Sequence, residues 1–109
     1  MWYFHASKDN PSQSQLKMRV KKGAWWLDKE YPGWEKRIRI YELCMFDTSS
    51  CILGQLYGNM YDKTEEMGWG DFECYMLGFD VWSSPSEPLG RLLKELWIEE
   101  INTRCLVAV

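Results

Sequence analysis

The sequence predicts an all-α fold: a small single-domain bundle of one N-terminal helix, two or three short helices punctuated by glycine, and a long C-terminal helix. Three observations carry this expectation. Apolar residues recur at helical spacing at both ends of the chain, over 14–31 and 88–101. Glycines and N-capping residues cut the middle into short pieces. Apolar–polar alternation of the kind a strand needs is confined to Arg37-Ile38-Arg39-Ile40.

Residues 1–13 read as an irregular N-terminal arm, because Asn10-Pro11-Ser12-Gln13 is turn chemistry with no period. The helical domain is expected over 14–109. Ser14 is the expected N-cap of the first helix, and Leu16, Val20, Ala24 and Leu27 fall on one face of it. Gly23 inside this helix costs about 1 kcal/mol relative to Ala, which predicts a close packing contact there. Pro32-Gly33 ends the helix, since Tyr31 before a proline is pushed out of the α region. Arg37–Ile40 fits a short strand or an extended linker equally. One minor strand pair is open if Ile38–Leu43 meets Leu106–Val109.

Asp47-Thr48-Ser49-Ser50 stacks N-cap residues before Ile52, Leu53, Leu56 and Tyr57, a short amphipathic helix with Gly58 as its stop. Met60–Met67 forms a second short helix closed by Gly68. Asp71 is the expected cap of a third, in which Phe72, Tyr75 and Met76 share a face before Gly78. Pro88 suits the first turn of the last helix. There Leu89, Leu92, Leu93, Leu96, Trp97 and Ile101 make the clearest apolar stripe in the chain. That stripe can seal the domain or close a homodimer.

At 109 residues the chain is one domain. Its charge is split between the halves. Nine basic against four acidic side chains leave residues 1–41 at net +5, and four against twelve leave 42–109 at net −8. The surface is dipolar unless the fold interleaves the signs. No run approaches the ~18 apolar residues of a membrane span. Trp2-Tyr3-Phe4 is too short for a signal-peptide core. Cys105 lies fifth from the end, where prenylation needs the fourth position. Cys44, Cys51, Cys74 and Cys105 fit no zinc spacing, so free thiols in a reducing compartment are expected, with no metal and no cofactor.

Catalysis is not expected. His5 is the single histidine and falls in the arm, whereas a general base needs a held geometry. Carboxylates gather as Glu65, Glu66, Asp71, Glu73 and Asp80 in one stretch, with Glu99-Glu100 further on. They would need a concave pocket holding a carboxylate of raised pKa to do chemistry. The bland alternative is a cap and the wet face of a helix.

Two binding readings remain. Seven Trp, six Tyr and four Phe either exceed what a core of this size needs, so that some are displayed, or make that core simply large. Trp25, Trp26, Trp34, Trp69 and Trp82 stand at a helix rim or at turns and form the candidate partner-binding set. Adjacent Trp25 and Trp26 point about 100° apart on a helix, so at least one tends outward. Trp34 and Trp82 fit lids over a small core nearly as well. The alternative is a nucleic-acid-binding accessory, carried by Lys17, Arg19, Lys21 and Lys22 and by Lys36, Arg37 and Arg39, with indoles between them. Against it, the isoelectric point is 5.1, far from the usual basic footprint.

Gly23-Ala24, Leu27-Asp28 and Pro32-Gly33-Trp34, then Cys51-Ile52-Leu53-Gly54-Gln55-Leu56-Tyr57-Gly58 and Leu77-Gly78-Phe79-Asp80, form a pattern. With the Leu93–Trp97 helix, it resembles a family of small uncharacterised proteins of actinobacterial bacteriophages and prophages. The resemblance spans about the last four fifths of the chain, and its motifs are structural punctuation. It implies no activity and no catalytic residue. What it implies is setting: a phage-related protein in the cytoplasm of a bacterial host, meeting a host or phage protein. The expected function is therefore a non-enzymatic protein-binding module, in its sharpest form an inhibitor of a host protein or defence system.

Overall fold

Helix formation begins two residues earlier than the pattern suggests. A computed structural model of the chain describes residues 10–107, so most of the expected arm, His5 included, lies outside the described residues. Helix α1 runs Gln13–Glu30 and its N-cap is Ser12. Ser12 Oγ accepts from the Gln15 amide at 3.2 Å, and Gln15 Oε1 accepts from the Ser12 amide at 2.8 Å. This reciprocal capping box displaces Ser14, whose third neighbour Lys17 has no acceptor to return. Leu16, Val20, Ala24 and Leu27 are all buried, as their spacing requires.

Two 3₁₀ turns follow, Trp34–Arg37 and Ile40–Glu42. No strand forms among the described residues, and the reason lies in one side chain. Gln55 Oε1 accepts from the Arg39 amide at 2.6 Å, and its Nε2 donates to the Arg39 carbonyl at 3.2 Å. The backbone groups that a neighbouring strand would pair are already satisfied. Leu106 and Val107 are in turn helical, which removes the other half of the expected pair.

Helices α2 (Ile52–Tyr57), α3 (Met60–Met67) and α4 (Asp71–Met76) form the middle of the chain. Cys51 Sγ, rather than the residues before it, caps α2 by accepting from the Gly54 amide at 3.3 Å. Asp47 instead folds its own turn, taking the Ser49 and Ser50 amides at 2.9 and 3.0 Å. Asn59 caps α3. Asp71 does not cap α4, because Glu73 reaches back to the Gly70 amide at 2.7 Å and makes Gly70 the cap. Cys74 and Tyr75 are buried, whereas Phe72 is 60% exposed. The Leu77-Gly78 turn at the far end of α4 lies backbone to backbone against α1.

That contact explains Gly23. A Cβ there would lie 2.0 Å from the Leu77 carbonyl oxygen, and one on Gly78 would lie 2.7 Å from the Val20 backbone. Gly78 also takes φ 70°, a left-handed value that side chains resist. Two glycines thus let backbone meet backbone. Helix α5 (Pro88–Val107) closes the bundle along α1. Its Leu93, Leu96, Trp97 and Ile101 are buried, and Leu89 and Leu92 are half-buried against the same core, so most of the apolar stripe is used within the chain. Trp97 stacks on Phe79 at 5.2 Å, meets Trp34 edge-on at 5.8 Å and donates from Nε1 to the Gly78 carbonyl at 2.6 Å. Among the described residues no helix is long and apolar enough to cross a membrane.

Candidate functional site

The charge split seen in the sequence is partly cancelled by the α1–α5 seam. Lys17 pairs with Glu99 at 3.7 Å and Lys21 with Glu100 at 3.1 Å. Arg104 forks between Glu100 Oε1 at 2.8 Å and Asp28, which it holds through Nε at 3.0 Å and Nη2 at 2.8 Å. Trp34 Nε1 donates to the same Asp28 at 2.9 Å. Glu100 is only 5% exposed, so its contact with Arg104 works largely away from water, whereas Lys17 and Glu99 pair at the surface. The Arg104 hydrogen bonds, with that of Trp34, hold the Asp28 carboxyl below its ordinary value, and Asp28 in turn raises the Arg104 guanidinium. A depressed carboxylate stabilises the fold above its unfolded value of 3.8 and loses that contribution as pH falls through the folded value. Acid titration of unfolding should therefore show a slope below about pH 4 that Asp28→Asn flattens. An unchanged slope in the variant would contradict this role.

The basic candidates are accordingly divided. Lys17 and Lys21 are committed to α5, and Arg19, Lys22 and the seam lie along α1. Arg37 lies over the Tyr31 ring at 5.9 Å, and Arg39 meets Glu42 at 3.5 Å. Lys36, Arg37 and Arg39 border a different cavity from the one that Lys21 lines.

The five candidate indoles are divided as well. Trp34 is 0% exposed, which corrects its place in the partner-binding set: Asp28 anchors its indole N–H and Trp97 covers its ring. Trp26 and Trp69 are half-buried against each other at 4.9 Å, each also meeting Phe79. Trp25, at 54%, and Trp82, at 58%, are displayed. Trp25 stands in a row with exposed Met18 and Lys22 on the outer face of α1. The sequence reading missed Tyr41, Tyr61 and Phe72, which are also displayed. Tyr61 stands between Met60, which is buried, and the exposed Asp62, and the helical period of an eight-residue segment does not say which way it turns.

Between α3, α4 and the 45–48 turn lies a cavity of about 310 Å³. Met45, Met60 and Trp69 supply apolar wall, and Asp47, Asp71 and Asp80 supply carboxylates. Two of these carboxylates, Asp47 and Asp80, are shifted in opposite directions. Hydrogen bonds from Ser49 and Ser50 hold Asp47 down. Burial pushes Asp80 up, against a 2.8 Å hydrogen bond from the Val81 amide. Burial, then the charges of Asp80 and Asp71, raise the neighbouring Cys74 thiol to about 11. The concave pocket with a raised carboxylate that chemistry would require is thus present. Its sulfur is held as a thiol, the unreactive form. Among the described residues no three His, Cys, Asp or Glu side chains gather as a metal site.

Because Asp80 is raised, its ionisation opposes folding at neutral pH and that penalty fades as pH falls towards 3.8. Asp80→Asn is expected to raise the melting temperature at pH 7 and to lose that advantage near pH 3. A lower melting temperature at both pH values would show that the carboxylate supports the fold.

The acid excess is local. Residues 59–80 carry six acids and one base, Lys63, whereas 88–104 carry three of each. Lys63 is occupied by the Tyr57 ring at 4.3 Å and Glu66 at 3.6 Å. Compared with family models, curated proteins and solved structures, the chain matches none of them.

Proposed function

We propose that this chain is a non-enzymatic protein-binding module of phage origin, acting in the cytoplasm of a bacterial host on a host protein, as an inhibitor or modulator. One observation carries the binding reading. Trp25, Tyr41, Tyr61, Phe72 and Trp82 are each more than half exposed on a chain whose core already holds Trp34, Trp97 and Phe79. Displayed rings beside charge are the residues that anchor protein interfaces. The phage setting rests on the sequence resemblance. The nucleic-acid alternative is weakened by the pairing of Lys17 and Lys21 with α5.

A carboxylate enzyme is the second reading, favoured by the raised Asp80 in its cavity. It would require Asp80 to work beside a thiol held in its protonated form. The immobilised chain is expected to retain a stoichiometric protein from host lysate. Serine replacements of the five exposed rings, one at a time, should weaken retention roughly tenfold or more at one or two positions. Retention of nothing, or equal retention by all five variants, counts against the module.

A further inference from the structure

Resting on the protein-binding reading, we propose that the α3–α4 surface docks a basic segment of the partner protein and seats an arginine side chain in the cavity walled by Asp71 and Asp80. Complementarity of charge is the first argument. The seam acids Asp28, Glu99 and Glu100 each have a cation within 4 Å in the folded chain. Among the described residues, Asp47, Asp71 and Asp80 have no Lys or Arg partner. Lys17, Lys21 and Arg104 neutralise the acids of the α1–α5 seam, whereas residues 59–80 set one base, Lys63, against six acids.

The second argument is shape and wall chemistry. About 310 Å³ is room for a guanidinium with its aliphatic stem. Met45 and Met60 suit the stem, and Trp69 and Tyr61 offer rings to the cation. A planar guanidinium binds carboxylates through paired donors, which an ammonium does not reproduce. The third argument is the surround. Tyr61 is 68% exposed at the cavity, and α4 carries exposed Phe72 beside Asp71. These rings extend the contact beyond one side chain, as a peptide segment needs.

The test uses the full chain and a fluorescein-labelled hexa-arginine peptide, read by anisotropy at roughly 50 and 300 mM salt. Asp71→Asn/Asp80→Asn is expected to weaken binding tenfold or more, and Phe72→Ser severalfold. Glu95→Gln/Glu99→Gln removes the same net charge from α5 and should leave affinity within about twofold. Circular dichroism checks that each variant is folded. Equal weakening by both double variants, binding of hexaglutamate at similar affinity, or free arginine binding as tightly as the peptide would overturn the proposal. Capture from lysate separates it from the broader reading. If wild type and Asp71→Asn/Asp80→Asn retain the same protein equally, this surface is wrong while the module stands. If neither retains a protein, the module itself fails.

Discussion

Gly23→Ala should destabilise the chain by more than about 3 kcal/mol, although alanine is the better helix former by about 1 kcal/mol. The opposing effect is steric. The new methyl would lie 2.0 Å from the Leu77 carbonyl oxygen and 3.2 Å from the Trp97 ring. Leu77 is backbone in a turn held by the Gly78 amide on the Tyr75 carbonyl at 3.1 Å, and Trp97 is fixed to the Gly78 carbonyl at 2.6 Å. Neither neighbour can swing aside as a flexible side-chain tip would. A domain of this size has a total stability of about 5–15 kcal/mol, so much of it is at stake. Urea unfolding measures the change. A variant as stable as the parent would mean that α1 and α4 are not in backbone contact.

Arg104→Ala is the second large effect, at about 3 kcal/mol or a fall of some 10 °C in Tm. The loss does not come from the strength of an ion pair as such. It comes from leaving Glu100, 5% exposed, with Lys21 as its single cation and from freeing Asp28 beside the buried Trp34. Removing charge on both sides should recover part of the loss, so Arg104→Met/Glu100→Gln is expected to be more stable than Arg104→Ala. A thermal scan that places Arg104→Ala within about 3 °C of the parent would rule out a buried network.

Much of the helical pattern was legible in the residues. The burial of Leu16, Val20, Ala24 and Leu27, the close contact at Gly23, the span of α3 and the start of α5 at Pro88 all follow from period and punctuation. Caps were read less well, because capping is a competition. Ser12 wins over Ser14 by having Gln15 as a reciprocal partner, and Gly70 displaces Asp71 once Glu73 turns back. The candidate site was legible in composition and hidden in placement. An excess of rings was counted correctly, yet Trp34 went inside and Tyr61 and Phe72 outside.

The residues alone determined an all-α chain with two long amphipathic helices and glycine-cut pieces between them, since period, caps and stops act over a few neighbours. The packing of α5 on α1 and of the Leu77-Gly78 turn on Val20 decided the rest. It chose which rings meet water, cancelled charge along one seam and left it bare around Asp71 and Asp80. Burial and ion pairing join residues as far apart as Asp28 and Arg104, and a local period holds no information about partners at that separation.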